Sequence, residues 1–191
     1  MIGSRPLTSG EVAKVLKTFS GAYAARDRAL FILGLKSGFR ISEMLSLRVT
    51  DVWKDGKVAE VVSVARKRMK GKVAVRKVPL NYEAARAIQD WLDVLGTHRP
   101  EAPLFESQRK GKAIDRTQAY RILEGAYDAA GVTGKLGTHA MRKTFAHGLY
   151  EALSHDLVKT QRALGHKNIN STVSYLSFGT DAEVNEAILS L

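Results

Sequence analysis

A chain of 191 residues, 45% apolar and 26% charged, suffices for one domain around a single core, and no apolar run approaches the roughly 20 residues of a membrane helix. Without cysteine, disulfides and thiolate metal sites are excluded, and Met1-Ile-Gly-Ser-Arg-Pro lacks a signal-peptide core, so a cytoplasmic protein is expected. Thirty Lys and Arg against nineteen Asp and Glu leave +11, which makes a phosphate backbone a candidate partner beside the plainer reading of a soluble cationic protein.

Thr8 with Glu11 forms a capping-box pattern, followed by Val12, Val15, Leu16 and Phe19 at helical spacing. A second helix is predicted over Ala24 to Ser37, stopped by Gly38, and a short third from Ser42 to about Leu47. The pattern then changes to strand. Asp55-Gly56 is a hairpin signal, Val58 to Val64 is β-branched, and a Lys70-Gly71-Lys72 turn leads into Val73, Val75 and Val78. A small antiparallel sheet is therefore predicted from about Val49 to Leu80. Residues 66–77 within it hold seven Lys or Arg and no acid, a density that repels itself unless something anionic lies against it.

After Pro79, Ala85, Ile88, Leu92 and Leu95 define a helix face that ends at Gly96. Residues 97–113 read as a loop with a short extended piece at Leu104-Phe105. Asp115 with Gln118 caps a helix whose apolar face is Ala119, Ile122, Leu123 and Ala126. Thr138 opens a helix with Met141, Phe145 and Leu149 inward. Further helices are predicted at about 156–164, at 171–176 with Ser171 as N-cap, and at 182–190. There is no internal repeat, low-complexity tract or dividing linker. The fold class is α+β: a mostly helical single domain with one small antiparallel sheet.

Four islands carry chemistry. In GFRISEML, residues 38–45, Arg40 stands between a glycine stop and a new helix, and Glu43 is spaced to brace a neighbour on the first turn. On its own Arg40 reads first as a surface arginine near a helix start. The basic hairpin at 66–77 offers a lysine that would reach a DNA groove, or a solvated turn. In THAMRKTF, residues 138–145, His139 and Arg142 at i and i+3 project from one side of a first helical turn, where a phosphate would offset the unfavourable cation. A capping or core histidine is the alternative. In LGHKNINSTVSYL, residues 164–176, Tyr175 follows His166 by nine positions; alone it reads equally as an ordinary half-buried aromatic, but the whole string is less ordinary than its parts.

In this order the islands resemble the tyrosine recombinases, or phage integrase family, from about Pro6 to Phe178. The motifs that carry the resemblance are an Arg in a GxRxSE context, a hairpin Lys before a VPL strand, His-x-x-Arg, and LGH with a Tyr nine residues later. Lys143 departs from it, standing where many members have a second histidine. The resemblance implies a catalytic domain spanning 1–191, without the N-terminal core-binding domain, in a fragment or a naturally short form. It implies Arg40 and Arg142 as the catalytic arginines, His139 and His166 as the active-site histidines, Tyr175 as nucleophile, and Lys70 as the lysine, with Lys67 the alternative by a different count. It further implies site-specific cleavage and rejoining of double-stranded DNA through a 3′-phosphotyrosine, with no cofactor, metal or ATP.

A homotetramer on DNA is expected, with a monomer in solution as an alternative. Val184, Ile188 and Leu191 form an apolar stripe on a tail helix over 179–191 that docks in trans or folds back on its own domain. The rival activities are relaxation of DNA by a type IB topoisomerase and binding of DNA without catalysis.

Overall fold

The structure, a computed structural model, describes residues 4–65, 75–96, 99–109 and 111–176. The chain divides into two compact units, Met1–Phe145 and Ala146–Leu191. The boundary falls inside a helix, not at a linker.

The first unit is built around α2 (Ala24–Ser37), which is buried on nearly every side, as befits a central helix. It is preceded by α1 (Ser9–Leu16), where the Thr8 hydroxyl accepts from the Glu11 N–H and the Glu11 carboxylate accepts from the Thr8 N–H. The end of α2 is set by Gly38 at φ 57°, the left-handed conformation that costs glycine nothing. Short α3 (Ile41–Met44) follows, one residue earlier than the spacing suggested.

Val49–Val52, expected to open the sheet, is instead a helical turn, α4. The Asp51 carboxylate reaches back to the Arg48 N–H at 2.8 Å, and the Val49 N–H donates to the distant Ala102 carbonyl. These bonds override the β-branched pattern. Among the described residues the β structure is two antiparallel pairs: β1 (Trp53–Lys54) with β2 (Lys57–Val58), and β3 (Val61–Ala65) with β4 (Val75–Pro79). The first is joined through Asp55 and Gly56 at φ 50° and 76°, the backbone of a tight primed turn. In the second, Val62 faces Val78 across the ladder and both are buried.

Helix α5 (Tyr82–Leu95) packs on α2 and buries Ala84, Ala87, Ile88, Trp91 and Leu92, a stripe that leaves Ala85 at its edge. Leu104 and Phe105 are buried but form no strand; the Trp91 indole donates to the Leu104 carbonyl at 2.6 Å, and single bridges flank the pair. Helix α6 (Arg116–Ala129) is capped by the Asp115 carboxylate on the Gln118 N–H at 2.7 Å.

Helix α7 (Thr138–Ala152) begins in the first unit and continues into the second. Its first turns approach α2 closely: a Cβ on Gly34 would stand 2.6 Å from the Met141 sulfur, and one on Gly38 would run into the Phe145 ring. The second unit adds α8 (Leu157–Leu164) and α9 (Ile169–Leu176). Ser171 lies inside α9; Asn168 takes the place expected of it, its side chain accepting from the Asn170 N–H at 2.9 Å. The Lys70-Gly71-Lys72 turn, Val73 and the helix expected at 182–190 lie outside the described residues. None of the described helices is long and apolar enough to cross a membrane.

Candidate active site

In the first unit, Arg40, His139 and Arg142 come together where α2 ends and α3 and α7 begin. Gly38 turns the chain so that Arg40, extended at φ −70°, precedes α3. The Arg40 N–H donates to the Glu43 carboxylate at 2.6 Å, and its guanidinium stands 3.4 Å from the other carboxylate oxygen. Glu43 is buried, while a third of the Arg40 side chain (33%) remains exposed. The expectation that Glu43 braces a neighbour is met within the first turn.

Arg142 is the largest fully buried side chain of the described residues, and its Nη1 donates to the Gly38 carbonyl. Burying a guanidinium is costly unless it is hydrogen-bonded. His139, exposed at the surface, sits one turn earlier on α7. Partial desolvation holds its imidazole below the usual histidine range, and the cations of Arg142, Arg40 and Lys143 push it further the same way. An imidazole lowered in this way by neighbouring arginines is suited to accept a proton. An open cleft of about 360 Å³ adjoins it, lined by Ile41, Arg116, Thr117, Tyr120, Thr138 and His139.

In the second unit, Gly165 at φ 64° ends α8 and presents buried His166. The His166 Nδ1 lies 2.9 Å from the Thr172 hydroxyl, and Thr172 is itself fully buried. In the tautomer in which Nδ1 accepts from that hydroxyl, Nε2 carries the ring proton. Half-buried Tyr175, on α9, meets the His166 ring edge to face, with centroids 5.0 Å apart. The His147 Nε2 stands 3.1 Å from the Tyr175 carbonyl, tying α9 to the α7 segment of this unit.

Lys70, and the alternative Lys67, lie outside the described residues. Three residues of these surroundings were not singled out by sequence: Arg76, Thr172 and His147. For Arg76 a signal existed, because strand alternation turns it inward with Val78. No group of His, Cys, Asp and Glu among the described residues is arranged to hold a metal ion.

The chain matches the Phage integrase family over residues 5–179. It is 32% identical over 177 residues to the probable integrase/recombinase YoeC of Bacillus subtilis (strain 168), covering 93% of this chain and 91% of that protein. It is 33% identical to the tyrosine recombinase XerC of Pelobacter propionicus, covering 83% of this chain and 50% of that one. Among solved structures, the XerH site-specific recombinase in a post-cleavage complex with a palindromic difH substrate superposes with a TM-score of 0.73 at 26% identity, over 98% of this chain and 53% of that chain. The chain thus spans about half the length of XerC and XerH. These likenesses, together with an arginine–histidine–arginine site in one unit and a histidine against a tyrosine in the other, lead to one conclusion: the chain belongs to the phage integrase family, the tyrosine recombinases.

Proposed function

We propose that the chain performs site-specific recombination of double-stranded DNA, with Tyr175 as the nucleophile and Arg40, His139, Arg142 and His166 acting on the same phosphate. The observation that carries this reading is buried Arg142, bonded to the Gly38 carbonyl two residues before Arg40, with both cations near enough to His139 to lower its imidazole. Attack on a phosphodiester concentrates negative charge on the non-bridging oxygens, and two guanidiniums are suited to hold them.

The Tyr175 oxygen forms a bond to phosphorus as the bond to the 5′ oxygen breaks. The phenolic proton passes to neutral His139, and His166 donates a hydrogen bond to the phosphate. A lysine of the 66–77 hairpin, Lys70 by preference, protonates the leaving 5′ oxygen. A 5′ hydroxyl then attacks the phosphotyrosine and releases Tyr175. The phosphoryl bond energy is conserved throughout, so the cycle is balanced without ATP. We assign the working assembly as a homotetramer on DNA in the cytoplasm, with tail residues 179–191 docking in trans.

The test uses nicked suicide duplexes tiled across the DNA flanking the encoding gene. Wild type is expected to leave an SDS-resistant protein–DNA adduct on at least one of them, and Tyr175→Phe none. Binding without an adduct by wild type would favour a non-catalytic relative.

A further inference from the structure

Arg76 is the second residue of β4 and has only 13% of its side chain exposed. Its guanidinium donates from Nη1 to the Gly38 carbonyl at 3.2 Å and from Nη2 to the Ser37 carbonyl at 3.0 Å. Both carbonyls belong to the end of α2, where the helix leaves its last acceptors without intrahelical donors. The same group lies over the Phe39 ring, 5.1 Å from its centroid, and its Nη1 is 3.7 Å from the Glu43 carboxylate. Two of these partners also serve the active-site arginines. Gly38 accepts from Arg142, and Glu43 accepts from the Arg40 N–H while its other oxygen stands 3.4 Å from the Arg40 guanidinium.

We propose that Arg76 is a positioning residue for strand cleavage, keeping the Arg40 and Arg142 guanidiniums directed at the phosphate; this rests on the function proposed above. A buried carboxylate draws the nearest cations to it. With Arg76 sharing the charge of Glu43, that carboxylate holds Arg40 firmly by its backbone and only loosely by its guanidinium, at the outer edge of hydrogen bonding. Once Arg76 is gone, Glu43 pairs with the Arg40 guanidinium and withdraws it from the phosphate. The Gly38 carbonyl that fixes Arg142 also loses a donor. A planar fork spanning two carbonyls is particular to arginine; lysine keeps the charge and loses the fork.

Single-turnover adduct formation at saturating DNA, on the same nicked duplexes, tests this. Arg76→Gln is expected to slow the step about tenfold or more while changing DNA affinity less than about threefold. Adding Glu43→Gln to Arg76→Gln is expected to restore part of the rate, since the carboxylate that captures Arg40 is then neutral. A merely structural Arg76 gives the opposite order, the double variant being slower than the single. Arg76→Lys, which keeps the charge, is expected to fold and to cleave severalfold slower than wild type, and it decides the matter if Arg76→Gln fails to fold. A wild-type adduct formed equally fast by both Arg76 variants, or a double variant slower than Arg76→Gln, overturns the inference alone. Wild type forming no adduct on any duplex overturns the function and this inference with it.

Discussion

His139 shows how neighbours tune one side chain. Partial desolvation is the largest influence on its imidazole, with Arg142, Arg40 and Lys143 adding to it in the same direction. Titration followed by NMR is therefore expected to find His139 below the ordinary value of about 6.5. Arg40→Ala should raise it without restoring that value, because the desolvation remains; a wild-type imidazole titrating at or above 6.5 would contradict the account. The linkage has a definite sign. The unfolded chain binds this proton more tightly than the folded one, so stability is full above about 6.5 and falls as the pH drops toward the lower folded value.

Thr172 supplies a second test at this scale. Thr172→Val keeps the shape and removes the partner of His166 Nδ1. Adduct formation should slow by about tenfold with little change in DNA affinity; an unchanged rate would show that the Thr172 hydroxyl does not orient the ring. The spacing of His139 and Arg142 was legible because i and i+3 share a helix side. That Arg142 would be buried against Gly38, 104 positions away in sequence, was not, since no local pattern encodes a partner so remote.

The helices most legible in sequence are those whose ends are fixed by their own neighbours. Thr8, Gly38, Gly96 and Asp115 each satisfy or stop the backbone of the adjoining turn, and the boundaries follow from them. Where a distant group takes part, the reading failed: Val49–Val52 resembles a strand until the remote Ala102 carbonyl takes the Val49 N–H. Arg76 was overlooked differently, as one cation among seven, although alternation along β4 turns it inward with Val78.

Gly38 carries the element-scale prediction, because it ends α2 at positive φ and a Cβ there would meet the Phe145 ring. Gly38→Ala is expected to cost about 1–3 kcal/mol in denaturant unfolding. A change within about 0.5 kcal/mol would mean that the turn relaxes freely.

Across the molecule, +11 is spread over many more residues than the five proposed to act on the phosphate. Such charge holds DNA by its backbone and releases counterions, so affinity should fall steeply with salt: about 100-fold between 50 and 200 mM if as few as about four phosphates are neutralised. Binding that is flat over this range would argue against a backbone-tracking surface. In the proposed tetramer, the apolar residues Val184, Ile188 and Leu191 would dock on a neighbouring protomer. Ile188→Asp is expected to abolish the tetramer on DNA in gel filtration while leaving monomer binding in place; an intact tetramer would favour a tail folded on its own domain.

The proposed recombination depends on one covalent bond. Tandem mass spectrometry of the nuclease-trimmed, trypsin-digested adduct is expected to find a 3′-nucleotide esterified to Tyr175. The same mass on any other side chain, or an adduct that survives in Tyr175→Phe, would contradict it.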